Sequence, residues 1–217
     1  MQATLLETRI RAMFAHKIAA VVRLNNAVAA HSACTCLINA GFKLVELTLT
    51  TPDALDIIKM LVKEAPEDVL IGAGTVMDAP SAKAGLDAGA QFIVSAIAET
   101  SIIRPCREAG VVCIPGAMTP TEIVACWRLG ANIIKVFPAG VIGGTNFIKA
   151  LRGPLPEIPL WVSGFVPASD APDYFAAGVQ LVGLTTDLFP VELVSARDWP
   201  ALTNHMQMRL QCALGKH

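Results

Sequence analysis

The chain has 217 residues, a length that suits a single domain. Its 17 basic and 18 acidic side chains leave a net charge of -1, so nothing indicates nucleic acid, an anionic membrane or a polycationic protein as the partner. A small molecule is the expected partner. Charged residues make up only 16% of the chain, below the roughly 25% of an average soluble domain, which predicts that some apolar surface is buried between subunits.

The amino-terminal segment has the pattern of a helix rather than of a targeting signal. The opening MQATLLETRIRAMFAHK carries charges where a signal peptide needs an apolar core, and no apolar run in the chain reaches the ~18 residues of a membrane span. We therefore expect a cytoplasmic protein. The spaced apolar residues within 1–16 predict an extra helix that packs against the rest of the fold.

Five glycines mark a unit that repeats along the chain. Each follows a helix-like stretch and precedes an apolar β-type run, as a left-handed glycine does where a helix ends. They are Gly41, Gly89, Gly110, Gly130 and Gly178. Their spacings of 48, 21, 20 and 48 residues indicate that each long gap hides one further unit.

Strand-like runs fill those gaps and bring the number of predicted strands to eight. In chain order they are KIAAVVRL (17–24), KLVELTL (43–49), DVLIGAG (68–74), QFIVSA (91–96), VVCIP (111–115), NIIKVF (132–137), PLWVSG (159–164) and QLVGL (180–184). Segments between them, such as TPDALDIIKMLVKEA, have apolar residues near helical spacing behind a Thr-Pro start.

Alternating β and α units with near-continuous apolar strands predict an α/β fold, a (β/α)8 TIM barrel over residues 17–190. With the helix at 1–16 and a C-terminal helix assigned to 191–217, periodic from about Asp198 to Leu214, the whole chain 1–217 forms one predicted domain. A doubly wound open sheet is the alternative. The first βα connection has no G-x-G-x-x-G, which weakens the dinucleotide-binding version of that alternative.

Four polar residues stand where predicted strands end, the place where such barrels carry their chemistry. They are Arg23, Glu46, Thr75 and Lys135. A charge among apolar neighbours is destabilising unless it is paired or neutralised, so we expect these groups to meet in a shared site. The alternation of side chains along a strand puts Lys135 on one face with Ile133 and Glu46 on one face with Leu44, so both charges can point inward. A lysine in a dry pocket is partly available as a free amine for Schiff-base chemistry, a carboxylate can move protons, and arginine can hold a carboxylate or phosphate.

Structural roles for the same residues remain open at this point. Lys135 could extend from a strand end to solvent, Glu46 and Arg23 could form an ion pair, and Thr75 could cap the next helix. The four histidines lie in predicted helices or at the terminus, and the six cysteines lack metal-ligand or redox spacing. We therefore expect no metal site and no cofactor, with the cysteines as buried thiols in a reducing compartment.

With these positions in place, the chain resembles the 2-keto-3-deoxy-6-phosphogluconate (KDPG) / 4-hydroxy-2-oxoglutarate (KHG) aldolase family from about residue 17 to 190. VELTLTTP is similar to the family's glutamate strand, IGAGTV to its third-strand signature, IPGAMTPTE to its fifth-strand loop, and IKVFPAGVIGGTNFIKAL to its lysine strand and following helix. Members are class I aldolases on a (β/α)8 barrel, usually homotrimers, and need no metal.

The resemblance implies roles for individual residues. Lys135 would form a Schiff base with the 2-keto carbon, and Glu46 would move the protons, so that cleavage between C3 and C4 gives pyruvate and an aldehyde. Some members carry an arginine where this chain has Thr50, and in others an arginine at the position of Arg23 takes over. The substrate-binding positions implied by the resemblance are Arg23, Thr75, Phe137, Ser95, Ser163, Gly164 and Thr186.

Two loops depart from the family pattern. Where the family's phosphate loops read Thr-Gly-Gly and Gly-Ser, this chain has Ser163-Gly164-Phe165 and Thr185-Thr186, and Ala96 replaces a proline. Glycines at these places let backbone N–H groups approach a phosphate closely, so Phe165 is expected to obstruct one. Both the phosphorylated substrate KDPG and the unphosphorylated KHG therefore stay open.

Two other functions fit the same residues. A decarboxylase of a 2-keto diacid such as oxaloacetate would use the same lysine imine and release carbon dioxide. A barrel that has lost its pocket and serves as a binding protein would explain the altered loops. An expensive buried lysine favours the aldolase over this last alternative.

Overall fold

The computed structural model describes residues 4–216, in which nine strand segments alternate with helices. The strands are β1 (Ile18–Val22), β2 (Leu44–Thr48), β3 (Leu70–Gly74), β4 (Phe92–Val94), β5 (Val112–Ile114), β6 (Gly116–Ala117), β7 (Ile134–Val136), β8 (Leu160–Ser163) and β9 (Leu181–Leu184). The helices are α1 (Leu5–His16), α2 (Ala27–Asn39), α3 (Ala54–Glu64), α4 (Ala79–Asp87), α5 (Ile103–Ala109), α6 (Pro120–Arg128), α7 (Gly144–Arg152), α8 (Ala171–Ala176), α9 (Val191–Ala196) and α10 (Trp199–Ala213).

All neighbouring strands are parallel, and their order is β5-β4-β3-β2-β1-β9-β8-β7-β6. Only Pro115 separates β5 from β6, the two ends of that order. They are therefore two halves of one strand, split where proline has no N–H to donate, and the sheet closes on itself as a barrel of eight strands. The predicted (β/α)8 barrel is confirmed, and the alternative of an open doubly wound sheet is wrong.

The helix-to-strand steps lie where the sequence placed them. All five predicted helix-ending glycines have positive φ, from 63° at Gly110 to 99° at Gly41. Each predicted strand run contains an observed strand, and β6 lies just beyond the run that ends at Pro115. The spacing of about 20 residues between these glycines therefore corresponds to one βα unit of the barrel.

Helix α1 covers the amino-terminal end of the barrel, as predicted for the extra helix. Thr4 caps it in a capping box with Glu7, and Met13 is buried among the inward side chains of the barrel. Residues 1–3 of the predicted helix lie outside the described part of the chain. Because α1 and the interior residues fill this end, the opposite end, where the strands terminate, is free for a site.

The C-terminal segment corrects a prediction, because 191–217 is not one helix. Helix α9 ends at Ala196, and the next residue, Arg197, is left-handed with φ of 55°. The Asp198 side chain then accepts the N–H of Ala201 to begin α10. The apolar periodicity identified only α10. Residue 217 lies outside the described residues, and between residues 4 and 216 no helix is long and apolar enough to cross a bilayer.

Candidate active site

A lysine and a glutamate from different strands face each other inside the barrel. Strand alternation predicted that Lys135 shares a face with Ile133, and Glu46 with Leu44; both apolar partners belong to the interior cluster. The two charged side chains are 5% and 0% exposed. Lys135 Nζ lies 3.7 Å from Glu46 Oε1, longer than a hydrogen bond but close enough for an ion pair or a proton transfer after a small movement.

Glycine and aromatic residues set the positions of both groups. The Glu46 carboxyl lies over Gly74, where a Cβ would overlap it, so the neighbouring strand gives this side chain its space. Lys135 Nζ lies 5.5 Å from the centre of the Phe137 ring and 6.0 Å from that of Trp161. The amine therefore lies within about 6 Å of two aromatic rings, which attract a cation but do not accept its protons strongly.

Burial has the largest effect on the pKa of the Glu46 carboxyl. Loss of solvent raises the pKa of Glu46, while the charges of Lys135 and Arg23 oppose that shift less strongly. Neither carboxyl oxygen has a hydrogen-bond partner within residues 4–216. The group therefore holds a proton more tightly than an exposed glutamate, which suits it to give and take protons during a reaction.

Arg23 is held by hydroxyl groups in the loops that follow two other strands, β2 and β3. Its NH1 donates to Thr50 Oγ1 at 2.7 Å and its NH2 to Thr75 Oγ1 at 2.9 Å. The Thr48 hydroxyl lies 3.0 Å from that of Thr50. The contact at Thr50 places Arg23 beside the position where some family members carry an arginine, and leaves further N–H donors of the guanidinium for a ligand.

The purely structural roles considered for these residues do not match their contacts. Lys135 is buried and does not extend to solvent, and the carboxyl of Glu46 pairs with Lys135 rather than with Arg23. Thr75 does not cap the next helix, because Asp78 does so by accepting the N–H of Ser81.

The other predicted substrate-binding residues divide by burial. Ser95 is buried and accepts the N–H of Ile97 at 3.2 Å, and Ser163 is buried and donates to the Gly183 carbonyl at 3.2 Å. Gly164 has φ of 87°, and a Cβ there would lie 2.8 Å from the Phe137 ring. Thr186 is exposed at the start of a single 3-10 turn after β9.

Phe165 occupies the loop after β8 in an unusual way. Its φ of 56° is left-handed, a conformation that favours glycine, and the side chain is 73% exposed. The backbone thus follows a path typical of glycine while the ring stays largely in solvent.

Sequence reasoning missed several contributors to this site. Gly74 and Gly183 matter because they lack a side chain, and Trp161 matters because it lies beside Lys135 in register. Alternation from Ser163 would have placed Trp161 inside the barrel. The sequence around Trp161 does not show that Gly183, on the neighbouring strand β9, makes room for its side chain. Within the described residues, no group of three or more His, Cys, Asp or Glu side chains could hold a metal ion.

Comparison of the chain with known proteins identifies its family. The family model "KDPG and KHG aldolase" matches residues 10–205. A relative from Rhizobium meliloti named "Probable 2-dehydro-3-deoxy-6-phosphogalactonate aldolase" is 38% identical over 154 residues, 70% of this chain and 72% of its own length. The KHG/KDPG aldolase of Escherichia coli K12 is 30% identical over 167 residues, 77% of this chain and 78% of its own.

A solved structure shows the same fold. The KDPG aldolase of Legionella pneumophila superimposes with a TM-score of 0.83 at 24% identity, covering 96% of this chain and 98% of the other. Barrel, site and relatives together define the protein as an aldolase, a carbon–carbon lyase. The chain belongs to the KDPG and KHG aldolase family.

Proposed function

We propose that the protein is a class I aldolase that cleaves a 4-hydroxy-2-keto acid, KDPG or KHG, to pyruvate and an aldehyde. The observation that carries this proposal is the buried pair of Lys135 and Glu46, 3.7 Å apart inside the barrel. An amine and a proton-holding carboxyl are the two groups that imine chemistry requires from the protein. The names of the relatives support the substrate class.

Imine formation uses both groups. The neutral amine of Lys135 attacks C2 of the keto acid, and the proton that nitrogen loses passes to the C2 oxygen, giving a carbinolamine. Protonated Glu46 then donates its proton to the hydroxyl, which leaves as water while the nitrogen lone pair forms the C=N bond. The products are a protonated imine, a glutamate carboxylate and one water molecule.

Cleavage uses the imine as an electron acceptor. The Glu46 carboxylate takes the proton of the C4 hydroxyl, the C4 carbonyl forms, and the electrons of the C3–C4 bond move to the iminium nitrogen. The aldehyde leaves, Glu46 returns its proton to C3 of the enamine, and water hydrolyses the resulting imine to pyruvate and free lysine. Burial, which raises the pKa of Glu46, supports this repeated exchange of one proton.

The remaining residues would hold the substrate. Arg23, with Thr75 beside it, is suited to the C1 carboxylate, and Phe137 would pack against the bound carbon chain next to the lysine. Ser95, Ser163, Gly164 and Thr186 would line the pocket toward the aldehyde end. We propose no metal and no cofactor, since the imine itself supplies the electron sink.

A panel of 2-keto acids tests the function directly. The protein should release pyruvate from at least one of KDPG, its unphosphorylated analogue and KHG, measured by coupling to lactate dehydrogenase. Borohydride with pyruvate should add a stable mass to the peptide that contains Lys135. Absence of both pyruvate release and adduct would contradict the proposal, and the preference between phosphorylated and unphosphorylated acids would report on the loop at Phe165.

Replacement of Arg23 by methionine should weaken binding of the keto acid. A hydrogen bond to a charged group is worth about 1.5–3 kcal/mol, so KM should rise about 10- to 100-fold with a smaller change in kcat. Arg104→Met is the matched control, because Arg104 is exposed on α5 and pairs with Glu108. Equal KM values for wild type and Arg23→Met would remove this residue from the binding site.

We further infer that the protein is a homotrimer, as the family resemblance implies. Met77, Ile97 and Met118 are exposed apolar side chains in the loops after β3, β4 and β6, neighbouring positions around the barrel that suit contact with another subunit. Light scattering at micromolar concentration should give three times the mass of one chain, and Ile97→Asp should lower it. A monomeric wild type would contradict the inference.

We also infer that the enzyme works in the cytoplasm. All six cysteines are free thiols, and five of them are buried. Free thiols are typical of a reducing compartment.

A further inference from the structure

The barrel interior beside Lys135 contains a polar group that the proposed reaction leaves unused, the indole N–H of Trp161. This side chain is 0% exposed, and its Nε1 has no hydrogen-bond partner within the described chain. Buried tryptophan N–H groups usually have a partner. The unpaired donor therefore needs an explanation beyond packing.

The indole leans toward the open end of the barrel. Trp161 pairs in register with Lys135 on β7 and with Leu181 on β9. A Cβ on Gly183, one inward position nearer the mouth, would overlap the indole nitrogen. The ring belongs to the apolar cluster inside the barrel, but since Gly183 pairs in register with Ser163, the N–H lies at the level of that serine, nearer the mouth.

The groups around the indole do not accept its proton. The Ser163 hydroxyl donates to the Gly183 carbonyl, and the ring of Phe92 packs beside the indole with centroids 6.1 Å apart. Lys135 Nζ, the atom proposed to attack C2, is 6.0 Å from the indole ring, and both oxygens of Glu46 are unpaired as well. A substrate between these groups would bring an oxygen to the donor.

We propose that Trp161 is a further substrate-contacting residue, whose N–H donates a hydrogen bond to the C2 oxygen of the bound keto acid. That oxygen becomes the carbinolamine hydroxyl and then the departing water, and the same donor holds the water that attacks the imine in the last step. Trp161 transfers no proton; Glu46 supplies it. This inference rests on the proposed function and adds to it a group that positions the oxygen at C2.

Two variants at this position remove the donor. Trp161→Phe keeps an aromatic ring, and incorporation of 3-benzothienylalanine at 161 keeps the shape of the indole while sulfur replaces the N–H. Trp127→Phe, on the exposed face of α6, is the matched control. We expect the isosteric variant to lose about three- to tenfold in kcat/KM, as for one neutral hydrogen bond, and to form the pyruvate adduct more slowly.

A thermal measurement separates this role from packing. Without ligand, the isosteric variant should melt no lower than wild type, because it loses only an unpaired donor, yet saturating pyruvate should raise its melting temperature less. An isosteric variant with wild-type kcat/KM and a wild-type pyruvate shift would overturn the role of Trp161. If the wild type itself gives no borohydride adduct, the proposed function fails and this inference fails with it.

Discussion

Replacement of Lys135 by methionine is expected to lower kcat by on the order of 10⁴-fold or more, because no imine can form and the covalent route is lost. Methionine keeps the length and apolar stem of the side chain, so packing beside Phe137 and Trp161 should change little. Borohydride with pyruvate should then leave the peptide around position 135 unmodified. Residual activity within tenfold of wild type would place the chemistry elsewhere.

Two further lysine variants isolate the cause of that loss. Lys135→Arg keeps a positive charge near Glu46 but provides no nucleophilic amine, so it should be as inactive as Lys135→Met. Recovery of activity in the arginine variant would show that the lysine serves only as the charge partner of Glu46. Lys149→Met, on the exposed side of α7, controls for the loss of a lysine near the same strand and should retain wild-type kcat.

Replacement of Glu46 by glutamine is expected to lower kcat by about 10²–10⁴-fold, the usual contribution of a positioned acid or base. The amide fits the same space over Gly74 but cannot exchange a proton with the hydroxyl groups at C2 and C4. Borohydride should still trap pyruvate on Lys135, although more slowly, because the nucleophile remains. A Glu46→Gln enzyme with wild-type kcat would show that another group, or solvent, moves the protons.

The same variant should change how stability depends on pH. Since burial raises the pKa of Glu46, the folded protein binds this proton more tightly than the unfolded chain, whose glutamate titrates near about 4.3. The stabilisation is complete below that value and is lost as the pH rises through the folded pKa. Glutamine does not titrate, so the free energy of unfolding of wild type should fall relative to Glu46→Gln as the pH rises above about 4.

Urea denaturation at several pH values measures that difference. Glu157→Gln, at an exposed position between α7 and β8, should show no comparable divergence from wild type. A difference between wild type and Glu46→Gln that stays constant with pH would mean that the carboxyl is not destabilised by burial in the folded protein.

Much of the fold and the central pair could be predicted from the sequence because they rest on local periodicities. Glycines at a regular spacing marked the ends of helices, and apolar runs marked the strands. The alternation of side chains along a strand then put Lys135 and Glu46 on the inward faces. The roles of Ser95, Ser163, Gly164 and Thr186 came from family resemblance and stay predictions.

The sequence could not give the details that depend on neighbouring strands or on caps. The C-terminal segment is split by the left-handed Arg197 and by the aspartate cap that follows it. In the sequence, these two residues give a weaker signal than the apolar pattern around them. Phe165 was expected to obstruct a phosphate, and the structure adds that its ring is largely in solvent.

By itself, then, the sequence determined the eight βα units, the barrel and the two inward-facing charged groups, because hydrophobic period and strand pleat are properties of contiguous residues. Only the tertiary structure decided which residues each of these side chains contacts. Arg23 finds hydroxyls at Thr50 and Thr75, distant along the chain, and the spaces over Gly74 and Gly183 admit Glu46 and Trp161. Such contacts depend on which strands are neighbours and on their register, which no single strand encodes.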